Sequence, residues 1–228
     1  MSLAIAMQVA PRREVTVGAT MTSLRTAGFV EPLHVFAEPG AAVPDGSNVL
    51  VHQNAENQGA FQNWRQAASF LLTTTAADWL LICQDDVQFA KRTRSVLDQF
   101  LQTNPVAGFI SLYTSRAMVP SAVRNQPRLV PGWREASLHN NGFIGAQALC
   151  FPRESLQQLV EHDRFRRHNS HRKIDVIVAR VLQEGLHLPL WVHVPSLADH
   201  SGASNSTLGR DKIVGIQWLR RGLRFDPS

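Results

Sequence analysis

The stretch WLLICQDDVQF, residues 79–89, decides the fold. It begins as an unbroken apolar run and stops at two adjacent carboxylates, Asp85 and Asp86. Such a run is typical of a strand that is buried on both faces. Neighbouring like charges repel each other unless a cation lies beside them, and a divalent metal ion with oxygen ligands is the usual solution. The alternative is that one aspartate caps the next helix while the other is solvated.

Strands and helices alternate around this stretch. We predict strands at 14–20, 32–38, 48–54 and 79–83, a short helix closed by Gly28, and an amphipathic helix at 60–75. This alternation over the first 110 residues predicts a single-domain α/β fold, in which helices flank a mostly parallel central sheet. Ligands of such sheets bind beyond the carboxyl ends of the strands, which is where both aspartates fall.

The second half of the chain is less regular. We predict strands at 106–113, 145–151 and 188–195, with helices after Pro152 and at 174–185. A long connection at 114–141 shows little periodicity, and connections of this length are commonly functional or mobile. A polar loop, SLADHSGASNSTLG, follows the last predicted strand.

Charge and cysteine content indicate the compartment and the partners. The formal net charge is +5, and the segment RFRRHNSHRK at 164–173 carries five cations and no acid. That segment is either a solvated loop or a contact for a polyanion. Cys83 and Cys150 lie in apolar runs without metal-type spacing, so we expect buried free thiols. With no membrane span or secretion signal expected, we predict a cytoplasmic protein, of a bacterium or of a virus-infected host cell.

The stretch 79–89 resembles the Asp-x-Asp type motif of glycosyltransferases of the GT-A fold, which follows a hydrophobic strand. The resemblance implies that Asp86 binds a divalent metal, Mn²⁺ or Mg²⁺, which bridges the diphosphate of a nucleotide sugar. Asp85 would assist through water or the donor sugar. Gln84 stands where the family often has an acidic residue, and it could still hydrogen-bond a ribose hydroxyl.

Three further stretches are similar to GT-A segments and follow the order that the family requires. Residues 20–40 resemble the first strand-to-helix connection, residues 54–64 resemble an Asn-x-Gly-x-x-x-Asn pattern, and residues 195–206 resemble a C-terminal Pro-Ser-Leu-x-x-His segment. Asn57 and Gly59 could instead simply start the helix. The nucleotide-sugar-binding residues so implied are Thr20, Arg25, Glu38, Asn57 and Asn63, and the histidine implied at the metal or the diphosphate is His200.

The resemblance implies a metal-dependent transfer of a sugar, most simply from a UDP-sugar, to an acceptor hydroxyl. Residues 1–110 would form the nucleotide-sugar-binding half, and residues 111–228 the acceptor-binding and catalytic half. Inversion at the anomeric carbon requires a carboxylate that takes the acceptor's proton. Asp175 matches the position of this base in inverting members. The other interpretation of Asp175 is a helix N-terminal carboxylate that is stabilised by the helix dipole.

The basic segment suggests an acceptor that is itself a polyanion. A 5-hydroxymethylpyrimidine in DNA is one such acceptor, and a glycan, lipid or protein acceptor remains open. Aromatic and polar side chains would stack on or hold an extruded base, and arginines would contact phosphates. These candidates are Trp133, Arg134, His139, Asn140, Arg166, Arg167 and Arg172. A metal-dependent phosphohydrolase and a non-catalytic nucleic-acid-binding protein are the alternatives from other classes.

Overall fold

The computed structural model describes residues 1–12, 14–104, 108–120, 130–136, 145–169, 174–200 and 225–227. The first half contains β1 (Leu3–Val9), α1 (Val17–Thr26), β2 (Leu33–Ala37), β3 (Val49–Gln53), α2 (Gly59–Thr74), β4 (Trp79–Gln84), β5 (Val87–Phe89) and α3 (Thr93–Thr103). The second half contains β6 (Phe109–Ser111), a 3-10 turn (Arg116–Met118), β7 (Gly132–Glu135), β8 (Ala148–Pro152), α4 (Arg153–Glu161), α5 (Asp163–Arg166), α6 (Ile174–Ala179) with a π-helical turn (Arg180–Gly185), β9 (Leu190–Val194) and β10 (Ala198–His200).

The predicted fold class is confirmed. Within the described ranges, eight strands form one sheet in the order β3-β2-β1-β4-β8-β6-β9-β7. Strands β1, β2, β3 and β4 pair in parallel, and β6 pairs in parallel with β9. Only β7 and β8 run against their neighbours in this sheet. The result is a mostly parallel sheet whose carboxyl edge gathers the ends of β1, β2 and β4.

Helices cover both faces of the sheet. On one face, α2 and the later helices pack around Trp64, Phe151 and Phe165. On the other face, α1 and α3 pack Leu24, Leu97 and other apolar side chains against the strands. Because the central strands are buried on both sides, their sequences are almost wholly apolar.

The prediction of the first strand is wrong. Residues 14–20 do not form a strand, since α1 begins at Val17 and Val15 is 61% exposed. The first strand is Leu3–Val9, which lies between β2 and β4 and is almost entirely buried. A central parallel strand has no solvent face, so its sequence, LAIAMQV, is apolar on both faces except at Gln8 and does not alternate.

Three other elements depart from the sequence prediction. Helix α3 follows the aspartate stretch, and β7 pairs with β9 from within the long connection at 114–141. The polar loop after β9 contains a further strand, β10, which pairs antiparallel with β5. The strands β7 and β10 are short and depend on tertiary partners. Helix α3 does carry a helical period, with Leu97, Phe100 and Leu101 buried on one face, and it was missed.

Two smaller expectations, the helix closed by Gly28 and the buried free thiols, are confirmed. The helix predicted before Gly28 ends at Thr26, and Gly28 adopts a φ of 97°, a left-handed conformation that glycine accommodates without strain. Cys83 and Cys150 are free and buried, and burial raises the pKa of both thiols. Within the described residues, no helix combines the length and apolar character that a membrane crossing requires.

Candidate functional site

The site lies where the chain reverses the direction in which it builds the sheet. From β1 the chain proceeds outward to β2 and β3, and it then returns to add β4 on the other side of β1. In open α/β sheets, the crevice at the carboxyl ends of two such strands is the usual place for a ligand. Arg12 follows β1, and Asp85 and Asp86 follow β4. We call Arg12, Asp85, Asp86, Gln147 and His200 the switch-point site.

Arg12 is the cation that lies beside the paired carboxylates. Its Nη2 lies 2.6 Å from Oδ1 of Asp85 and 3.1 Å from Oδ2 of Asp86. Its Nε donates to both carboxylate oxygens of Asp85 at 3.0 Å. The backbone N–H of Ala10 donates to Asp85 as well, at 3.3 Å. The side chains of Arg12, Asp85 and Asp86 are at most 10% exposed, so these charges are compensated by each other more than by water.

The two aspartates differ in their electrostatic environment. Burial raises the pKa of Asp85, although the hydrogen bond and charge of Arg12 oppose that shift. Burial acts in the same direction on Asp86, but hydrogen bonding to His200 and the charge of Arg12 hold the pKa of Asp86 below its ordinary value. Asp86 is therefore the more firmly ionised of the pair.

His200 reaches the aspartates because β10 pairs with β5. The pairing places His200 opposite Val87, directly after Asp86. Its Nδ1 lies 3.5 Å from Oδ2 of Asp86, and its Nε2 lies 2.8 Å from Nε2 of Gln147. The edge of its ring faces Tyr113, with ring centroids 6.2 Å apart. The sequence prediction that His200 and Asp86 act together thus corresponds to two side chains that meet.

Sequence reasoning did not identify Arg12 or Gln147. Arg12 follows the apolar run at 3–9, so assigning that run to the central strand would have placed Arg12 beside Asp85. Gln147 immediately precedes β8, and its carbonyl accepts a hydrogen bond from the N–H of Gln84. A side chain added at Gly145 would overlap the Gln147 amide, so the glycine keeps that amide in place. The sequence signal for Gln147 was a polar residue directly before a buried strand.

Thr20 holds the turn that carries the aspartates. Its buried hydroxyl donates to the carbonyl of Asp85 at 2.7 Å and accepts from the N–H of Val87 at 3.1 Å. One side chain therefore satisfies backbone groups on both sides of Asp86. The residue predicted to bind the nucleotide sugar lies at the site, with its hydroxyl engaged with the protein backbone.

Glu38 follows β2 at the same edge of the sheet. It is 3% exposed, and its Oε2 accepts from the N–H of Gln58 at 2.9 Å. Asn57 and Asn63 lie nearby and have structural partners. Asn57 accepts from the N–H of Gly59 at the start of α2, and Asn63 donates to the carbonyl of Phe36. The second carboxylate oxygen of Glu38, Oε1, is buried and has no partner among the described residues.

Arg25 lies away from the site. It is at the end of α1, which runs back toward the amino edge of the sheet. There its guanidinium donates to the carbonyls of Phe29, Glu31 and Asn48. The prediction grouped Arg25 with Glu38 as residues of the same connection. Helix α1 starts at the carboxyl edge of the sheet and runs toward the amino edge, so Arg25, near its end, is carried away from the site.

Asp175 is linked to the site through the backbone. It lies in the first turn of α6, and its Oδ2 accepts from the N–H of Gly145 at 3.1 Å. Gly145 packs against Tyr113 and the Gln147 amide, which in turn contacts His200. The predicted base and the aspartate pair therefore border one region.

The predicted acceptor residues are more dispersed. Trp133 stacks on Phe100 with ring centroids 4.4 Å apart and contacts His193 edge-on. Its ring thus packs against the apolar side chains on the α1 and α3 face of the sheet, which is the structural alternative to base stacking. Arg134 donates to the carbonyl of Val130, while Arg166 and Arg167 are exposed. His139, Asn140 and Arg172 lie outside the described residues.

Four buried oxygen atoms at this edge of the sheet have no hydrogen-bond partner within the described part of the chain. Each belongs to a side chain that is at most 8% exposed. An unpaired buried oxygen is costly, so these atoms are natural contacts for a polar ligand or a cation. They are Oε1 of Gln8, Oε1 of Glu38, Oδ1 of Asp86 and Oε1 of Gln147.

The residues present fit a metal that is shared with a diphosphate. Asp86 offers an ionised carboxylate with a free, buried oxygen, and His200 offers an imidazole beside it. Across the described ranges, no group of three or more His, Cys, Asp or Glu side chains could hold a metal ion by itself. Mg²⁺ is usually bound by one or two carboxylates together with substrate phosphates and water, so such a small set of ligands suffices.

The chain is similar to known proteins in fold but not in sequence. No protein family model matches the chain, and no curated protein matches its sequence. Among solved structures, the chain is similar to S. aureus TarS 1–349, with a TM-score of 0.52 and 12% identity, covering 80% of this chain and 56% of that one. It is also similar to mannose-1-phosphate geranyltransferase from Thermus thermophilus, with a TM-score of 0.52 and 12% identity, covering 84% of this chain and 73% of that one.

This likeness supports the predicted GT-A-like arrangement of the sheet and helices. The chain spans little more than half of the TarS fragment. At 12% identity the likeness concerns the fold, and a shared fold does not determine the chemistry of the site.

Replacing Thr20 by valine should loosen the aspartate turn. The change removes a buried hydroxyl with two backbone partners, so we expect a loss of about 1–3 kcal/mol in the free energy of unfolding. Thr26→Val is the matched control, because the hydroxyl of Thr26 is exposed and bonds only within α1 according to its described contact with Thr22. Urea denaturation measures both variants, and equal losses would contradict the role of Thr20.

Proposed function

We propose that the chain is a glycosyltransferase that moves a sugar from a nucleotide sugar, a UDP-sugar, to an acceptor hydroxyl at the switch-point site. The observation that carries this proposal is a set of four buried oxygens, of Gln8, Glu38, Asp86 and Gln147, at the carboxyl edge of β1, β2 and β4. Among the described residues, none of these oxygens has a hydrogen-bond partner. Hydroxyl groups of a ribose or a sugar would donate to these oxygens, and a divalent cation shared with the diphosphate would compensate the charge of Asp86.

The donor half of the site divides into three roles. Asp86 and His200 would hold a divalent cation, Mn²⁺ or Mg²⁺, which as a Lewis acid offsets charge on the departing diphosphate. Asp85 and Thr20 fix the turn that presents Asp86. Glu38 and Gln84 have side chains at the ends of β2 and β4, where their oxygens would accept from the hydroxyls of the nucleoside.

The acceptor half would supply the base. In the proposed inverting reaction, the acceptor hydroxyl attacks the anomeric carbon while its proton passes to Asp175. The half-buried carboxylate of Asp175 accepts from the N–H of Gly145 at Oδ2 and from the N–H of Val176 at Oδ1. Each carboxylate oxygen can accept more than one hydrogen bond, so these two contacts leave room for an acceptor hydroxyl.

Two observations bear on the class of acceptor. A 5-hydroxymethylpyrimidine in DNA accords with the exposed Arg166 and Arg167. Against it, Trp133 is packed on Phe100 rather than presented for base stacking. A hydroxyl of a glycan, lipid or protein acceptor would require neither exposed arginines nor an aromatic ring for base stacking.

Replacing Asp86 by asparagine should remove transfer. The amide keeps the shape but loses the charge that a cation requires, so we expect a fall of about 100-fold or more in the transfer rate. The assay supplies Mn²⁺ or Mg²⁺, a panel of nucleotide sugars, and acceptors that include duplexes with and without hydroxymethyl bases, and it weighs the products. Asp78→Asn is the matched control, since Asp78 immediately precedes the same strand at its other end and bonds to Ser2. Full transfer by Asp86→Asn would refute the assignment.

Replacing Asp175 by alanine should lower turnover while donor affinity is retained. Loss of a general base typically costs 10²–10⁴-fold, so we expect a fall of roughly that size in kcat. Asp175→Asn separates chemistry from positioning, because the amide oxygen can still accept from the N–H of Gly145. Recovery of turnover in Asp175→Asn would show that the side chain only positions the loop.

A further inference from the structure

We propose that Arg12 is an intramolecular competitor of the divalent cation at Asp86. The guanidinium compensates the aspartate pair when no cation is bound, and it must withdraw from Asp86 when one binds. This inference rests on the metal site of the proposed function and adds a residue to it that the sequence prediction did not contain.

The contacts of Arg12 are unequal, which makes such a withdrawal feasible. Asp85 receives both Nε and Nη2, with distances of 3.0 Å and 2.6 Å. Its Oδ2 also accepts from the N–H of Ala10. The contact with Asp86 is the longer one, 3.1 Å from Nη2 to Oδ2. Arg12 can therefore keep its hydrogen bonds to Asp85 while it gives up Asp86, and Asp85 acts as its anchor.

The competition is centred on the carboxylate of Asp86. Its Oδ2 lies near both Arg12 and His200, and its Oδ1 is buried without a partner among the described residues. A cation on this carboxylate would lie within a few ångströms of the guanidinium, in surroundings that are only slightly exposed to water. Two positive charges at such a distance repel strongly, because little solvent screens them.

The arrangement also explains how the site tolerates two buried carboxylates. Without Arg12, the negative charges of Asp85 and Asp86 would be adjacent at the end of a buried strand. A buried charge that loses its partner is strongly unfavourable. Arg12 stabilises the aspartate pair before a cation binds, and the same stabilisation opposes the entry of a cation.

The first test compares Mn²⁺ binding by the wild-type chain and by Arg12→Gln in the absence of nucleotide. Binding is measured as the decrease in the electron paramagnetic resonance signal of free Mn²⁺. Removing the competitor should tighten Mn²⁺ binding by roughly tenfold or more, because the ion no longer displaces a hydrogen-bonded guanidinium. Arg94→Gln is the matched control. Arg94 also bridges two acids, Glu31 and Asp98, away from the site, so its loss should leave Mn²⁺ affinity unchanged.

Equal or weaker binding by Arg12→Gln would overturn the inference and leave the proposed transferase untouched. Absence of Mn²⁺ binding in all three proteins would overturn the inference together with the metal role, while the transfer assay with Asp86→Asn still judges the proposed function. If Arg12→Gln does not fold, Arg12→Lys serves instead. Lysine keeps the charge but cannot span two carboxylates with a planar fork, so Mn²⁺ should again bind more tightly.

The second test uses the wild-type chain and the diamagnetic ion Mg²⁺. The side-chain Nε–H signals of Arg12 and Arg94, assigned from their variants, are followed in nitrogen-15 spectra. Mg²⁺ should shift the Arg12 signal and leave the Arg94 signal in place. An Arg12 signal that stays unchanged at saturating Mg²⁺ would also overturn the inference.

Discussion

The contact of one guanidinium with two carboxylates is the interaction on which the site depends. Asp85 and Asp86 end a strand that is buried on both faces, so neither charge can rely on water for stabilisation. Arg12 comes from the end of the neighbouring strand and meets both of them. The sheet topology makes this possible, because only adjacent parallel strands bring their carboxyl ends together at one point.

Elements from distant parts of the chain complete the same region. The hydroxyl of Thr20 fixes the backbone on both sides of Asp86, and the pairing of β10 with β5 delivers His200. Gln147 then joins His200 to the strand beside β4. Each contact gives a hydrogen-bond partner to a polar group whose burial would otherwise be unfavourable. The same hydrogen bonds therefore set the geometry of the site and stabilise the surrounding turns. Such coupling favours a pre-organised site.

The sequence was informative where local pattern and burial agree. The run before Asp85 and Asp86, the helix at Gly59–Thr74 and the strands at Leu33–Ala37 and Val49–Gln53 carry their own period or turn signals. Arg12 was not predicted, because the first strand was assigned to the alternating residues at 14–20 and no strand was assigned to the apolar segment at 3–9. Arg25 was predicted at the carboxyl edge of the sheet but lies at the amino edge. Residue types alone do not show the direction in which a helix runs. Gln147 reaches the site through an antiparallel strand whose partner is remote in sequence, and no local pattern encodes that pairing.

The most direct test of the account is to map nucleotide binding onto the sheet. Amide shifts of the nitrogen-15 labelled chain are followed while UDP, GDP, ADP and CDP are each added with Mg²⁺. The account predicts that at least one of them shifts the signals of Ala10, Glu38, Asp86 and His200 at the carboxyl edge and leaves those of Arg25 and Asp78 at the amino edge unchanged. No shift with any of the four, or shifts confined to the amino edge, would contradict the claim that this edge binds a nucleotide diphosphate.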